Sequence, residues 1–525
     1  MVKKNNEFTI SELVYYAYFA LMLFVKGIGL YEGQWPYTLS LLLGAVLIIV
    51  KLLVTEHTIP EWIFIVLMST LAITIYFHSH KLGILIITAT IIGMKGVSVK
   101  RVMWIGTVIW SLTFIANILL VLLGIRPDIL RVQEKLGLGY IIRYSLGSTH
   151  PNVLQISYMI LCAFILYVAQ FKGKKLVIAT GVMILGSFYV FMYSVSYTGI
   201  VLCIFYLLLN LYLSFRKKLW LLEKGIALAV FPFCVWLTIY VFNHIDFPYY
   251  YYINKYLNTR PYITLNYMAH TPVTAFGSGY NANLPVTSNN LDSSFVYALM
   301  HYGWVFFGLF IVSYIALIVN TIKKNDRIQL GMIIAFALAA ISEPFFVNES
   351  FKNISWIFMG AFIYELIAKI PSKSLDIISG NSLIGIGNTH IYFSFDGIIE
   401  KCRKFIDICK QKRKTLFVLS FILVLILGTG FYFLRDIKST YYVNRSIVQT
   451  EDKEYTTIDI NKWDETIDGS VINYVDAKTP MVLIEGNIGI VEYYRELISF
   501  VLWISLSVVA VYVFIICRNE EINRK

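Results

Sequence analysis

The sequence predicts an all-α fold, a polytopic membrane helix bundle, and three observations point there. Hydrophobic residues fill 58% of the 525 positions and charged residues only 14%, a balance no water-soluble surface tolerates. Apolar runs of about 20 residues, the length a bilayer core demands, recur along the chain. Lys and Arg gather on alternate connections between those runs, as they do on short cytoplasmic loops.

The runs lie at 10–25, 38–54, 61–77, 82–94, 102–123, 153–170, 176–193, 198–214, 225–243, 293–319, 328–347, 354–370, 415–434 and 497–517. By length they predict about fourteen transmembrane helices, the run at 82–94 being short for a crossing. Met1 to Glu12 carries Lys3 and Lys4 but no small-residue cleavage site follows, so no cleavable signal is expected. The basic connections are Lys3 and Lys4; Lys95, Lys100 and Arg101; Lys172, Lys174 and Lys175; Arg216, Lys217 and Lys218; Lys323, Lys324 and Arg327; and Lys410 to Lys414. Their alternation predicts a multi-pass protein of the cell membrane with both termini cytoplasmic. Topology and anionic lipid then account for the net charge of +12 without nucleic acid.

The body is expected at 1–370, with external loops at 124–152 and 243–292. A cytoplasmic segment follows at 371–414, where Phe395, Ile398, Ile399, Cys402, Phe405, Ile406 and Cys409 repeat at helical spacing among basic residues. It reads either as a helix lying on the inner membrane surface or as a segment that stops transfer. Residues 415–525 form a helix pair flanking a small, acidic extracytoplasmic module at 435–496. Cys162, Cys203, Cys234 and Cys517 lie in or beside spans and Cys402 and Cys409 in the cytoplasm. External disulfides and thiolate metal sites are therefore not expected.

Chemistry is expected where polar residues crowd the outer ends of spans. Arg143 to Asn152, with His150 and Pro151, places a cation and an imidazole at a helix start. Backbone N–H groups there favour phosphate, and an arginine adds paired donors. A cap by Ser148 or Thr149, with Pro151 in the first turn, would explain the same residues structurally. In the second loop Lys255, Arg260 and His270 precede Gly277-Ser278-Gly279-Tyr280, and Asp292 opens the next run. Pro261 is expected to hold Arg260 out of helical conformation, and Asp292 doubles as a plausible helix cap. Glu343, beside Pro344 at a span end, needs a partner or a wet cavity.

In order and placement, these pieces resemble the Wzy-type polysaccharide polymerases of the O-antigen polymerase and ligase superfamily, in the capsule or exopolysaccharide branch of Gram-positive bacteria. The resemblance covers about residues 100–370. It rests on Arg143 to Asn152, on Arg260 through Phe276-Gly277, on Leu291-Asp292-Ser293 to Tyr302-Gly303, and on Glu343 to Asn353. The chain departs from the pattern at Tyr197, before Thr198-Gly199, where such proteins often carry Arg. It also has Asp292 where ligases open the helix with His, which favours polymerase over ligase.

The resemblance implies a metal-independent membrane glycosyltransferase that needs no cofactor and joins polyprenyl-diphosphate-linked oligosaccharide repeat units. It implies that Arg260, Asp292 and His150 act on the reacting groups, while Arg143, Asn152, Lys255, His270, Tyr280 and Glu343 bind substrate. Arginines would stabilise charge growing on the departing diphosphate, and Asp292 or His150 would take the acceptor's proton. Membrane lipid, a chain-length regulator and a flippase are the expected partners, by analogy of pathway. The alternative is a flippase of lipid-linked units, whose signature of two matching halves is missing here. A surface receptor or scaffold would leave Arg143, Arg260 and Asp292 without purpose.

Overall fold

The computed structural model describes residues 7–135, 138–246, 248–257, 259–284, 290–370, 388–392, 400, 407, 413–434, 440–448, 456–457, 470–472, 478–485 and 488–522. The expected surface helix near 395–409 lies outside the described residues, apart from isolated positions. Helices dominate, and every apolar run of the sequence lies wholly or in part on one. They are α1 (Ile10–Gly27), α2 (Trp35–Val54), α3 (Ile59–Ser79), α4 (Gly83–Ile92), α5 (Val99–Leu122), α6 (Pro151–Ala169), α7 (Lys174–Ser194), α8 (Tyr197–Phe215) and α9 (Leu221–His244). After two short helices, α10 (Tyr249–Tyr256) and α11 (Arg260–His270), come α12 (Ser294–Lys324), α13 (Arg327–Ala339) and α14 (Ser355–Ile367), then α15 (Arg413–Leu434) and α16 (Ile488–Ile522).

Among the described residues, nine helices (α1, α2, α3, α5 to α9 and α12) are long and apolar enough to cross a bilayer. This makes the chain a multi-pass helical membrane protein. The helices start where local chemistry lets them. Thr9 and Glu12 cap α1 reciprocally, the Glu12 N–H donating to the Thr9 hydroxyl at 3.1 Å and the Thr9 N–H to the Glu12 carboxylate at 3.3 Å. Proline occupies the first turn of α2, α3 and α6, where a missing N–H costs nothing. Helix α9 carries Pro232 and widens into a looser turn at Leu237–Val241.

Helices α13 and α14 are shorter because the chain between them breaks into a 3₁₀ turn at Pro344–Phe346. Irregular backbone survives amid helices only when its polar groups find protein partners. Here the Phe346 carbonyl accepts from the Asn353 amide at 2.9 Å and the Trp356 indole at 3.0 Å. The Phe346 ring packs among Phe231, Phe310, Tyr314 and Trp356.

The all-α expectation needs correcting at three places. The 124–152 loop folds into an antiparallel hairpin, β2 (Leu130–Lys135) with β3 (Gly139–Tyr144), in which Arg131 lies opposite Arg143. Glu7–Thr9, β1, pairs with His390–Tyr392, β4, fastening the N-terminus to the segment after the main body. Within 435–496, β5 (Thr440–Asn444), β6 (Thr456–Thr457), β7 (Ser470–Ile472) and β8 (Pro480–Glu485) form a sheet of order β6-β8-β5-β7. Isolated segments this short need a second layer to bury their apolar face. The hairpin and the sheet supply each other's: Val132 and Ile142 share one buried cluster with Val443, Val448, Val482 and Ile484.

Candidate functional site

Alternation along the hairpin sorts its side chains. Val132 and Ile142 face the sheet, so Arg131, Gln133, Lys135 and Arg143 share the opposite face, toward the helices. Arg143 is almost fully buried there. Its Nε donates to the Ser194 carbonyl at 2.8 Å, Nη1 to Gln133 Oε1 at 3.0 Å and Nη2 to Asn152 Oδ1 at 2.5 Å. All three acceptors are neutral. Burial, with the Arg260 charge adding to it, pushes the guanidinium down to about 10. Ser194 precedes Tyr197 by three residues, so the 194–199 segment meets Arg143 through its main chain.

His150 caps α6, its Nδ1 accepting the Asn152 N–H at 3.1 Å. An imidazole whose Nδ1 accepts keeps its proton on Nε2. Burial lowers its pKa to about 4, helped by the charges of Arg143, Arg131, Arg260 and Lys135. At neutral pH His150 is thus a hydrogen-bond donor through Nε2, and its Nδ1 lone pair is already committed to the cap. Lys135 is lowered to about 8 by burial and by the same two arginines, Arg143 and Arg260. Basic groups from β2, β3 and α11 therefore converge on one place.

Arg260 reaches it from the other loop. It opens α11 with Pro261 behind it, which corrects the expectation of an extended Arg260: proline is acceptable in a helix's first turn. Its Nε donates to Asp292 Oδ2 at 3.0 Å and its Nη2 to Glu343 Oε1 at 2.9 Å. Burial works against the charge, but the Glu343 and Asp292 carboxylates more than offset it and hold the guanidinium above its ordinary value. Asp292 is not the helix cap: Ser293 stands there, and Asp292, one residue earlier, spends its carboxylate on Arg260. Its side chain is 39% exposed against 10% for Glu343.

Two contacts fix the geometry of these acids. The Ser294 hydroxyl donates to the Glu343 carbonyl at 2.5 Å and its N–H to the Ala340 carbonyl at 2.9 Å, tying the start of α12 to the break after α13. The 274–278 segment lies against the kink of α12 at Gly303, whose φ is +82°. A Cβ on Gly277, itself at φ +83°, would stand 1.9 Å from the His301 carbonyl oxygen, so only glycine permits this approach.

The remaining expected residues scatter. His270 lies at the far end of α11, exposed, bonded to the Asn266 carbonyl of its own helix at 2.9 Å. At about 1.5 Å rise per residue, the helix carries it well away from Arg260. Tyr280 is exposed beyond it. Lys255 sits on α10, and its side chain lies outside the described residues. Arg131, Gln133 and Lys135 were missed, although the polar alternation in Leu130-Arg131-Val132-Gln133 is the signal of a half-buried strand.

Beside Glu343 lies a cavity of about 230 Å³ bounded by α1, by Ser148 and Thr149, and by the 343–352 segment. Neither arginine lines it, but Glu343 does. Fold and site together define a multi-pass helical membrane protein with a polar, arginine-rich centre at one end of its bundle. No family model, no curated protein and no solved structure matches the chain.

Proposed function

We propose that the protein polymerises polyprenyl-diphosphate-linked oligosaccharide repeat units into a capsular or exopolysaccharide at the outer face of the cell membrane. In this reading about fourteen helices cross the bilayer, both termini are cytoplasmic, and the arginine-rich centre faces outward. The carrying observation is that two arginines from separate loops share one electrostatic neighbourhood with His150, one held by neutral acceptors and the other by two carboxylates.

Arg143 supplies positive charge that its own acceptors do not neutralise, which suits a diphosphate. A guanidinium has five N–H donors, so Arg143 and Arg260 each keep some for oxygen atoms of the leaving group. In the transfer, the bond from the donor's anomeric carbon to the diphosphate oxygen breaks and the electron pair leaves with the diphosphate. The acceptor hydroxyl oxygen bonds to that carbon and gives its proton to a base. Asp292, the more exposed acid, is the base of choice, and Arg260 orients it. His150 donates from Nε2 to the diphosphate or a sugar oxygen rather than accepting a proton.

The test is the lipid carrier. Removing the protein should leave single repeat units accumulating on the outer leaflet. Accumulation on the inner leaflet would assign flipping instead, and unchanged polymer would end the polymerase reading.

A further inference from the structure

The cavity beside Glu343 holds two groups with no use in the scheme above. Lys352, fixed between the 3₁₀ turn and α14, is 8% exposed and lines the cavity. Among the described residues its ammonium makes no hydrogen bond and no ion pair. The Ser350 hydroxyl, also in the wall, is buried without a partner. A buried hydroxyl without a partner is expensive, and a largely buried lysine with only the field of Glu343 to compensate it is weakly held; proteins keep such groups where a ligand or water completes them.

The other walls suit a saccharide. Lys26, at the end of α1, stands 3.9 Å over the Tyr37 ring and reaches the cavity, while Ser148, Thr149, Ser157 and Asn348 offer short polar groups and Tyr31 an aromatic ring. Glu343 separates the cavity from Arg260, and Glu349 is the one carboxylate in the wall not bound to that arginine. We propose that this cavity is a saccharide subsite that recognises an anionic substituent, a carboxylate or phosphate on the sugar, through Lys352 with Lys26 as the second cation. This rests on the polymerase reading for its placement, and it adds that the repeat unit is acidic.

Burial lowers the Lys352 ammonium to about 8, with Lys26 adding and Glu343 opposing, so it remains charged at neutral pH. A lysine is a point charge on a flexible stem, fitted to one anionic group rather than to a planar fork.

The full-length protein in nanodiscs, titrated with glucuronate, inorganic phosphate and glucose at constant ionic strength, tests this. Glucuronate or phosphate should bind at least tenfold tighter than glucose. Lys352→Met should remove that preference, and Glu349→Gln, which deletes a competing negative charge, should strengthen it several-fold. Binding of phosphate alone, lost in Lys352→Met, assigns the anion as phosphate; glucuronate alone assigns a carboxylate. Equal binding of glucose, or an unchanged preference in Lys352→Met, overturns the subsite. Should Lys352→Met fail to fold, Lys26→Met and Glu349→Gln decide by the opposite signs of their effects. Carrier analysis is independent: a flippase outcome there retires the polymerase reading while the binding data still judge the cavity.

Discussion

The two loops that meet at the site present an arginine in opposite ways. The hairpin buries Arg143 against a carbonyl and two amide oxygens, so no anion bonds it, and burial with the Arg260 charge outweighs the more distant Glu343 and lowers its pKa. Helix α11 offers Arg260 to two carboxylates, a group of net negative charge that holds its proton harder. The difference separates two tasks that the sequence presents as one. Arg260 organises the acids, and on the proposed reading Arg143, with Arg131 and Lys135 on the same face of the hairpin, supplies the attraction for an anion.

Breaking the carboxylate clamp should have the largest effect. Arg260→Ala leaves Glu343 buried and unpaired, at a stability cost of about 3–5 kcal/mol, which should be seen as a lowered thermal midpoint in detergent, and on the polymerase reading polymer should be lost. Adding Glu343→Gln to it should recover most of the midpoint and none of the polymer. Recovery of both would show the pair to be scaffolding alone.

Arg143→Met should cost less stability, about 1–3 kcal/mol for acceptors left dry, yet abolish polymer equally. Normal polymer from Arg143→Met, with Arg260→Ala inactive, would reverse the roles assigned to the two arginines.

His150 sharpens the comparison through pH. The unfolded chain protonates it below about 6.5 and the folded protein only below about 4. Between those values the unfolded state binds more protons, so stability falls as pH drops through this window. His150→Asn, which keeps a cap acceptor, should flatten that acid limb of the thermal midpoint; an unchanged slope would place the sensitivity elsewhere.

The smallest effect concerns what steadies the hairpin. Arg495 on α16 donates to the Ile142 carbonyl at 3.0 Å and the Met192 carbonyl at 2.8 Å, pairs with Glu492 and lies 4.6 Å over the Tyr144 ring. Arg495→Met should raise amide hydrogen exchange in β3 and lower polymer yield several-fold without abolishing it. Identical exchange would mean that the sheet alone supports Arg143. Because the C-terminal sheet covers the hairpin's apolar face, deleting 415–525 should reduce polymerisation as well as change chain length.

Much of this architecture was readable along the chain, because a bilayer imposes its own length on each apolar run. The run at 328–347 overshot: α13 stops at Ala339, since Glu343 and Pro344 turn the backbone toward Arg260. The hairpin escaped notice because two six-residue strands carry a weaker signal than one helix, and Arg131 and Lys135 escaped with it. His270 was grouped with Arg260 because both lie in the 243–292 loop, but the two stand at opposite ends of one eleven-residue helix.

Composition and the spacing of basic residues by themselves determined that the chain is a helical membrane protein with polar loops worth inspecting, because hydration energies act on each segment locally. Which cation meets which anion was decided only in three dimensions. Asp292 lies 32 positions after Arg260 and Glu343 lies 83 after it, yet one guanidinium binds both. No local preference encodes that meeting; it follows from the Ser294 anchor and the Gly277–Gly303 contact, which bring separate backbones within reach.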